Sequence, residues 1–167
     1  MKSIETKMLI KSDIASVWDK VCFYEEVKGR PTWFLRMTLP LPERTIGDHK
    51  TAGTICRCEY SENQYILKRI TRSAENEQLA FEVVETSEQF ERYIRLRGGT
   101  ISLTSVEGRG TMVAMVTNYD LNSEGFFLRR FLIERAVKAL HRFVIKDMAD
   151  SILAEQQGAM KVAEAGL

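Results

Sequence analysis

Cysteine, histidine, net charge and long apolar runs are all scarce in this 167-residue sequence. The three cysteines, Cys22, Cys56 and Cys58, are too few and odd in number for a disulfide framework. Cys56 and Cys58 are two apart, a poor spacing for a disulfide within a flat strand. The only histidines are His49 and His141, and no HExxH spacing occurs, so ligand supply argues against a metal centre. Formal net charge is +1, with bases scattered among acids, which lacks the concentrated basic footprint that holds nucleic-acid phosphates. The opening "MKSIETKMLIKSD" has no apolar signal core, and no apolar run is long enough to span a bilayer. With the cysteine usage, this reads as a cytoplasmic protein. No serine sits in a nucleophile elbow, and no cysteine has an evident histidine partner. "GRGTMV" joins two strand patterns rather than opening a helix, so it reads as a hairpin turn and not a phosphate loop.

What is present is patterning. Ser3 to Ile10 alternates as a strand. Ser12 or Asp13 can cap a helix whose apolar face is Ile14, Val17, Trp18 and Val21. Pro31 breaks the region that follows. "LPLPERTIGDHKTAG" reads as a loop or a pair of edge segments. Then come "GTICRCEY", "QYILKRIT", "LAFEVVE", "FERYIRLRGGTISLTSV" and "GTMVAMVTNYDL", strand-like and joined by short polar turns, which predicts an antiparallel sheet. Ile94 and Leu96 hold even positions, whereas Ile101 and Leu103 hold odd ones. One extra residue in a β-bulge at Gly98-Gly99 would return all four to one face and help the sheet curl. From about residue 123 to 157 the period becomes helical, with Gly158 as the expected stop and 158–167 as a disordered tail. No repeat or linker appears, so residues 1–157 read as one domain.

The order and spacing of "IKSDIASVW", "GTICRCEY", "ITRSAENEQLAFEV", "GGTISLT", "GTMVAMVTNY" and "ALHRFVIKDM" resemble the START-like superfamily, also called SRPBCC. That resemblance covers about residues 3–157. It implies an α+β helix-grip fold: a curved antiparallel sheet wrapped around a long C-terminal helix, with two short helices after the first strand. It also implies a cavity between sheet and helix. Members hold lipids, sterols, polyketides or other apolar molecules there, and some are enzymes. The fold does not fix the activity.

The long helix raises a question of its own. With Val137 at the centre of its buried face, Phe126, Arg130, Ile133, Glu134, Leu140, His141, Val144, Met148 and Ile152 fall within roughly 60°. Arg130, Glu134 and His141 therefore share an apolar stripe. One account is structural: an i,i+4 pair of Arg130 with Glu134, and a histidine satisfied by protein. The other is that the stripe faces a cavity where a ligand's polar group needs partners. Matching "GTMVAMVTNY" to the superfamily's corresponding strand points Val113, Met115, Thr117 and Tyr119 inward. Cys58 and Tyr60 are expected inside, with Arg57 outside. Trp33 and Phe34 follow the Pro31 break and are candidates to gate the cavity, or to be plain core.

Three functions follow as expectations. The first is binding or transport of a small hydrophobic ligand (lipid, isoprenoid or polyketide-like) without a cofactor. Its lining would be Trp33, Phe34, Tyr60, Val113, Met115, Thr117, Tyr119, Arg130, Glu134, Val137 and His141. The second is a polyketide cyclase- or dehydratase-like enzyme, with His141 as general acid or base and Glu134 orienting it. The third is an interaction module. Leu132, Ala136, Ala139 and Phe143, flanked by Arg135, Lys138, Arg142 and Lys146, would form an outer helix face for a homodimer or a peripheral membrane contact.

Overall fold

The computed structural model describes residues 1–21, 29, 33, 42–48, 50–88, 94–121 and 127–165. Strand β1 (Lys2–Ile10) leads into helix α1 (Ile14–Val21). Asp13 caps α1: its carboxylate accepts the Ser16 backbone N–H at 2.9 Å and the Ser16 hydroxyl at 2.7 Å. Those bonds, the backbone one first, hold the Asp13 carboxyl below its ordinary pKa. Val17, Trp18 and Val21 are the buried face.

Strands β2 (Pro42–Ile46), β3 (Ile55–Tyr60), β4 (Gln64–Ala74), β5 (Gln78–Thr86), β6 (Ile94–Val106) and β7 (Gly110–Leu121) follow, and helix α2 (Phe127–Ala165) ends the described chain. Among the described residues the sheet is entirely antiparallel and runs β1-β7-β6-β5-β4-β3-β2. Three-residue connections join β3 to β4, β4 to β5 and β6 to β7, while β1 closes onto β7 at the other edge. The sheet is curved, and α2 packs on β1, β7 and α1.

Bulges provide part of the curvature. The β6–β7 register slips between Leu96 and Gly98, leaving Arg97 as the extra residue. Ile94, Ile101 and Leu103 are then all buried, despite their opposite parities. Glycine is required here. A Cβ on Gly98, whose φ is +153°, would lie 2.3 Å from the Phe81 carbonyl oxygen. A Cβ on Gly99 would lie 2.6 Å from the Val116 carbonyl and 2.9 Å from Cζ of Phe81. The Phe81 ring therefore rests over Gly99.

The apolar interior has two parts. The larger joins Val17, Trp18 and Val21 of α1 to Val144, Ile145, Met148 and Ile152 of α2 and to the strands beneath. The smaller collects Ile4, Ile94, Tyr119 and Val137. Each fully buried aliphatic side chain contributes about 1.5–3 kcal/mol.

Two expectations about α2 need correction. Gly158 does not end the helix, which continues to Ala165. Gly158 is not among the residues with positive φ, and the alanine, methionine, lysine and glutamate around it offset the ~1 kcal/mol that one glycine costs. Ala136 does not belong to an outer face: it is 3% exposed. The buried arc of α2 takes in Ala136 as well as Val137, His141, Val144, Ile145, Met148 and Ile152, about half the circumference. On that side Gly29 donates its N–H to Asp147 at 2.7 Å, and Phe143 lies beside it.

Candidate functional site

A cavity of ≈ 100 Å³ lies between the inner face of the sheet and α2, where the two apolar clusters meet. Strands alternate their side chains, so each wall strand supplies every second residue. β4 presents Ile66 and Lys68; β5 presents Phe81 and Val83; β6 presents Ile94, Leu96 and Ile101; β7 presents Met115 and Thr117. Tyr60 closes one side, and Val137, Leu140 and His141 of α2 form the roof. Most of this lining is apolar; its polar tips are few.

His141 marks one polar corner. It is 3% exposed, and both ring nitrogens are engaged: Nε2 with the Thr117 hydroxyl at 2.8 Å and Nδ1 with the Thr6 hydroxyl at 3.1 Å. Thr6 and Thr117 are diagonal neighbours on β1 and β7, because Thr6 pairs with Met115 and Ile4 with Thr117. The knot ties the helix to two strands. Burial lowers the His141 pKa from 6.5 to about 4, so the ring is neutral at pH 7. A neutral imidazole donates from one nitrogen and accepts at the other, and a threonine hydroxyl can do either. All three groups are thereby satisfied.

Lys68 marks the other corner. Its β4 neighbours Ile66 and Ile70 also face inward, and its ammonium lies 4.4 Å from the centroid of the Phe81 ring. Burial pushes its pKa well below the ordinary lysine range. The Phe81 ring that Lys68 overlies is the one seated on Gly99, so the bulge that curves the sheet also shapes this wall.

The described members of the expected site separate into three groups. Tyr60, Met115, Thr117, Val137 and His141 come together around the cavity. Val113 and Tyr119 are buried in the apolar clusters instead, Val113 in the larger and Tyr119 in the smaller. Glu134 is half-buried on α2 and outside the lining, and Trp33 is 74% exposed. Phe34, Cys22, His49, Phe126 and the side chain of Arg130 lie outside the described residues, as does the expected second short helix apart from Trp33. The expected partnership of Glu134 with His141 is replaced by the two threonines, which occupy both ring nitrogens.

Sequence reasoning missed Lys68, Phe81 and Thr6. A signal existed for Lys68: it shares the parity of Ile66 and Ile70, so an inward strand face carries it. Thr6 sits likewise between the inward positions Ile4 and Met8. Nothing local marks either residue as a partner of distant chemistry.

Cys56, Cys58 and Tyr60 do face inward, and Arg57 outward, where it lies over the Tyr65 ring at 4.0 Å. Cys56 and Cys58 are unoxidised. The hydrogen bond shared with Cys56, and then burial, push the Cys58 thiol up, so it is protonated and a poor nucleophile. Burial also raises the Tyr60 hydroxyl well above its ordinary range. Among the described residues, no group of three or more His, Cys, Asp or Glu could hold a metal ion. No described helix is long and apolar enough to cross a membrane.

No protein-family model and no curated protein sequence matches this chain. Solved structures do. The Zhui aromatase/cyclase from a Streptomyces species superposes with a TM-score of 0.64 at 11% identity, covering 90% of this chain and 93% of its own. Protein TTHA0849 from Thermus thermophilus gives 0.64 at 19% identity, with coverage of 92% and 99%. Ara h 8.0201 gives 0.62 at 11% identity, with coverage of 92% and 98%. At such identities the likeness speaks for architecture alone. On that architecture, a curved seven-stranded antiparallel sheet gripping a long C-terminal helix, the chain has the START-like helix-grip fold.

Proposed function

We propose that the protein binds a small hydrophobic molecule in the cavity between sheet and α2, as a binder or carrier rather than as a catalyst. One observation carries this: an apolar cavity lined by Ile66, Phe81, Val83, Leu96, Met115 and Leu140, with polar groups confined to its corners. Concave, largely apolar sites with a few placed polar groups are the usual form of small-molecule sites. A lipid chain, an isoprenoid or a polyketide-like ring system has matching chemistry. An apolar void of about 150 Å³ takes up benzene. A volume of ≈ 100 Å³ therefore suits a ring or chain end, with flexible side chains such as Met115 yielding to anything larger. His141 supports binding over proton transfer, because both its nitrogens are held by threonines.

Native mass spectrometry of gently purified protein, followed by titration with a lipid and aromatic panel, tests the proposal. We expect an apolar adduct or micromolar binding, and its loss in Val83→Phe, which fills the cavity. A folded wild type that carries no adduct and binds no panel member would retire it.

A further inference from the structure

The hydrogens at the His141 corner can be counted, and they do not come out even. Thr6, Thr117 and the neutral imidazole of His141 bring three polar hydrogens, two O–H and one N–H. The bonds at the ring, 2.8 Å to Thr117 and 3.1 Å to Thr6, use one hydrogen each. Neither threonine hydroxyl has another partner among the described residues. Each of the three groups thus has a partner, and one hydroxyl hydrogen is still left without an acceptor.

Which hydroxyl keeps it depends on the tautomer of the ring. With the proton on Nδ1, the ring donates to Thr6, Thr117 donates to Nε2, and the spare hydrogen belongs to Thr6. With the proton on Nε2, the ring donates to Thr117, Thr6 donates to Nδ1, and the spare belongs to Thr117. The two ends are not equivalent. Thr6 is 8% exposed and absent from the cavity lining, so a spare hydrogen there is buried with nothing to meet. A buried donor without an acceptor is the costlier outcome. Thr117 is half-buried and lines the cavity. Its register partner on β6 is Gly99, which puts no side chain beside the hydroxyl.

We infer that His141 is held as the Nε2–H tautomer, and that Thr117 thereby turns a hydroxyl donor into the cavity and selects apolar ligands carrying an uncharged acceptor oxygen, foremost a ketone. The ligand's oxygen takes the Thr117 hydrogen while its apolar body lies against Leu96, Met115 and Leu140. Thr117 is then a specificity-determining residue, and His141 is a positioning residue that acts through it. This inference rests on the binding function proposed above and names its ligand class. Two sources share the chemistry: aromatic ketones, with a flat ring, and aliphatic ketones, with a flexible chain.

Isosteric pairs test the ligand side. Acetophenone and α-methylstyrene differ only in C=O against C=CH2, as do 2-octanone and 2-methyl-1-octene. Each is titrated into the full-length wild type, Thr117→Val and Thr117→Ser, with folding checked by circular dichroism. The ratio of ketone to alkene affinity should fall roughly threefold to tenfold in Thr117→Val, the range of one neutral hydrogen bond, and return in Thr117→Ser. The aromatic and aliphatic pairs report which body the cavity prefers. Nitrogen NMR of the imidazole at pH 7 reads the tautomer without any ligand or any change at the site. His49→Gln leaves His141 as the single histidine to observe. We expect the proton on Nε2. A proton on Nδ1 would overturn the inference, and so would an affinity ratio that Thr117→Val leaves unchanged. In either case bound probes would leave the binding function standing. If no probe binds any form, the binding function and this inference fall together.

Discussion

The two polar corners of the cavity handle burial differently. At the helix-side corner, His141 is neutral and tied by both nitrogens to Thr6 and Thr117. At the sheet-side corner, Lys68 carries an amine over an aromatic ring, with its pKa also pushed down by burial. Desolvation acts on both in the same direction. The outcomes differ because imidazole loses nothing by being neutral: one nitrogen donates, the other accepts, and the threonines match both. Lysine has no acceptor and carries its donors on one flexible nitrogen, so it offers no such fixed two-way bridge. Burial thus accompanies a strut at one corner and an amine resting over an aromatic ring at the other.

The largest expected effect concerns the strut. The unfolded histidine titrates near 6.5 and the folded one at about 4. Between those values the unfolded chain binds the extra proton. Stability is therefore full above about pH 6.5, falls as pH drops through this window, and levels off below about 4. The loss is at most roughly 3 kcal/mol. Urea unfolding at pH 7 and pH 4.5 should show a steeper fall for wild type than for His141→Gln. The difference between the two isolates the ring from Asp13, Glu59 and Asp120, whose lowered carboxyl pKa values also favour the folded state at higher pH. Equal slopes would mean that His141 gains a proton while folded and is no strut.

Next comes the floor beneath the other corner. Gly99→Ala would press on the Val116 carbonyl and on the Phe81 ring. We expect a loss of about 2 kcal/mol in urea unfolding, from strained packing. Affinity for apolar probes should fall too, because the ring that seats Lys68 must move. A variant with unchanged stability and binding would separate the bulge from the site.

A smaller effect is expected at Thr6. Thr6→Val keeps the shape and removes one partner of His141, at a cost of about 1–2 kcal/mol. Because Thr6 is absent from the cavity lining, ligand binding should hardly change. The smallest lies outside: Glu82→Gln breaks a pair with Arg69 whose side chains are 46% and 48% exposed, and should shift stability by less than about 0.5 kcal/mol. These two variants set the scale against which the buried corners are judged.

Much of the fold was legible beforehand, and for identifiable reasons. Alternation located β1 and β3 to β7, and the parity slip between Leu96 and Ile101 pointed to the bulge that the register shift at Arg97 bears out. Helical periodicity placed Val137, His141, Val144, Met148 and Ile152 on one buried face. It misjudged Ala136, because an apolar stripe seen alone does not reveal how much of the circumference its neighbours cover. It misjudged Gly158, because a single glycine is a weak stop among good helix formers.

By itself, then, the sequence determined which residues of each strand and helix turn inward, since side-chain direction follows the local period of the backbone. Lys68 and Thr6 were on inward faces as plainly as Ile66 and Ile4. What those faces meet was decided only by the tertiary structure. Thr6 and His141 are 135 residues apart, and the Phe81 ring reaches Lys68 only because Gly99 leaves room for it. Hydrogen bonds and ring contacts depend on distances of a few ångströms between segments whose local patterns carry no record of each other.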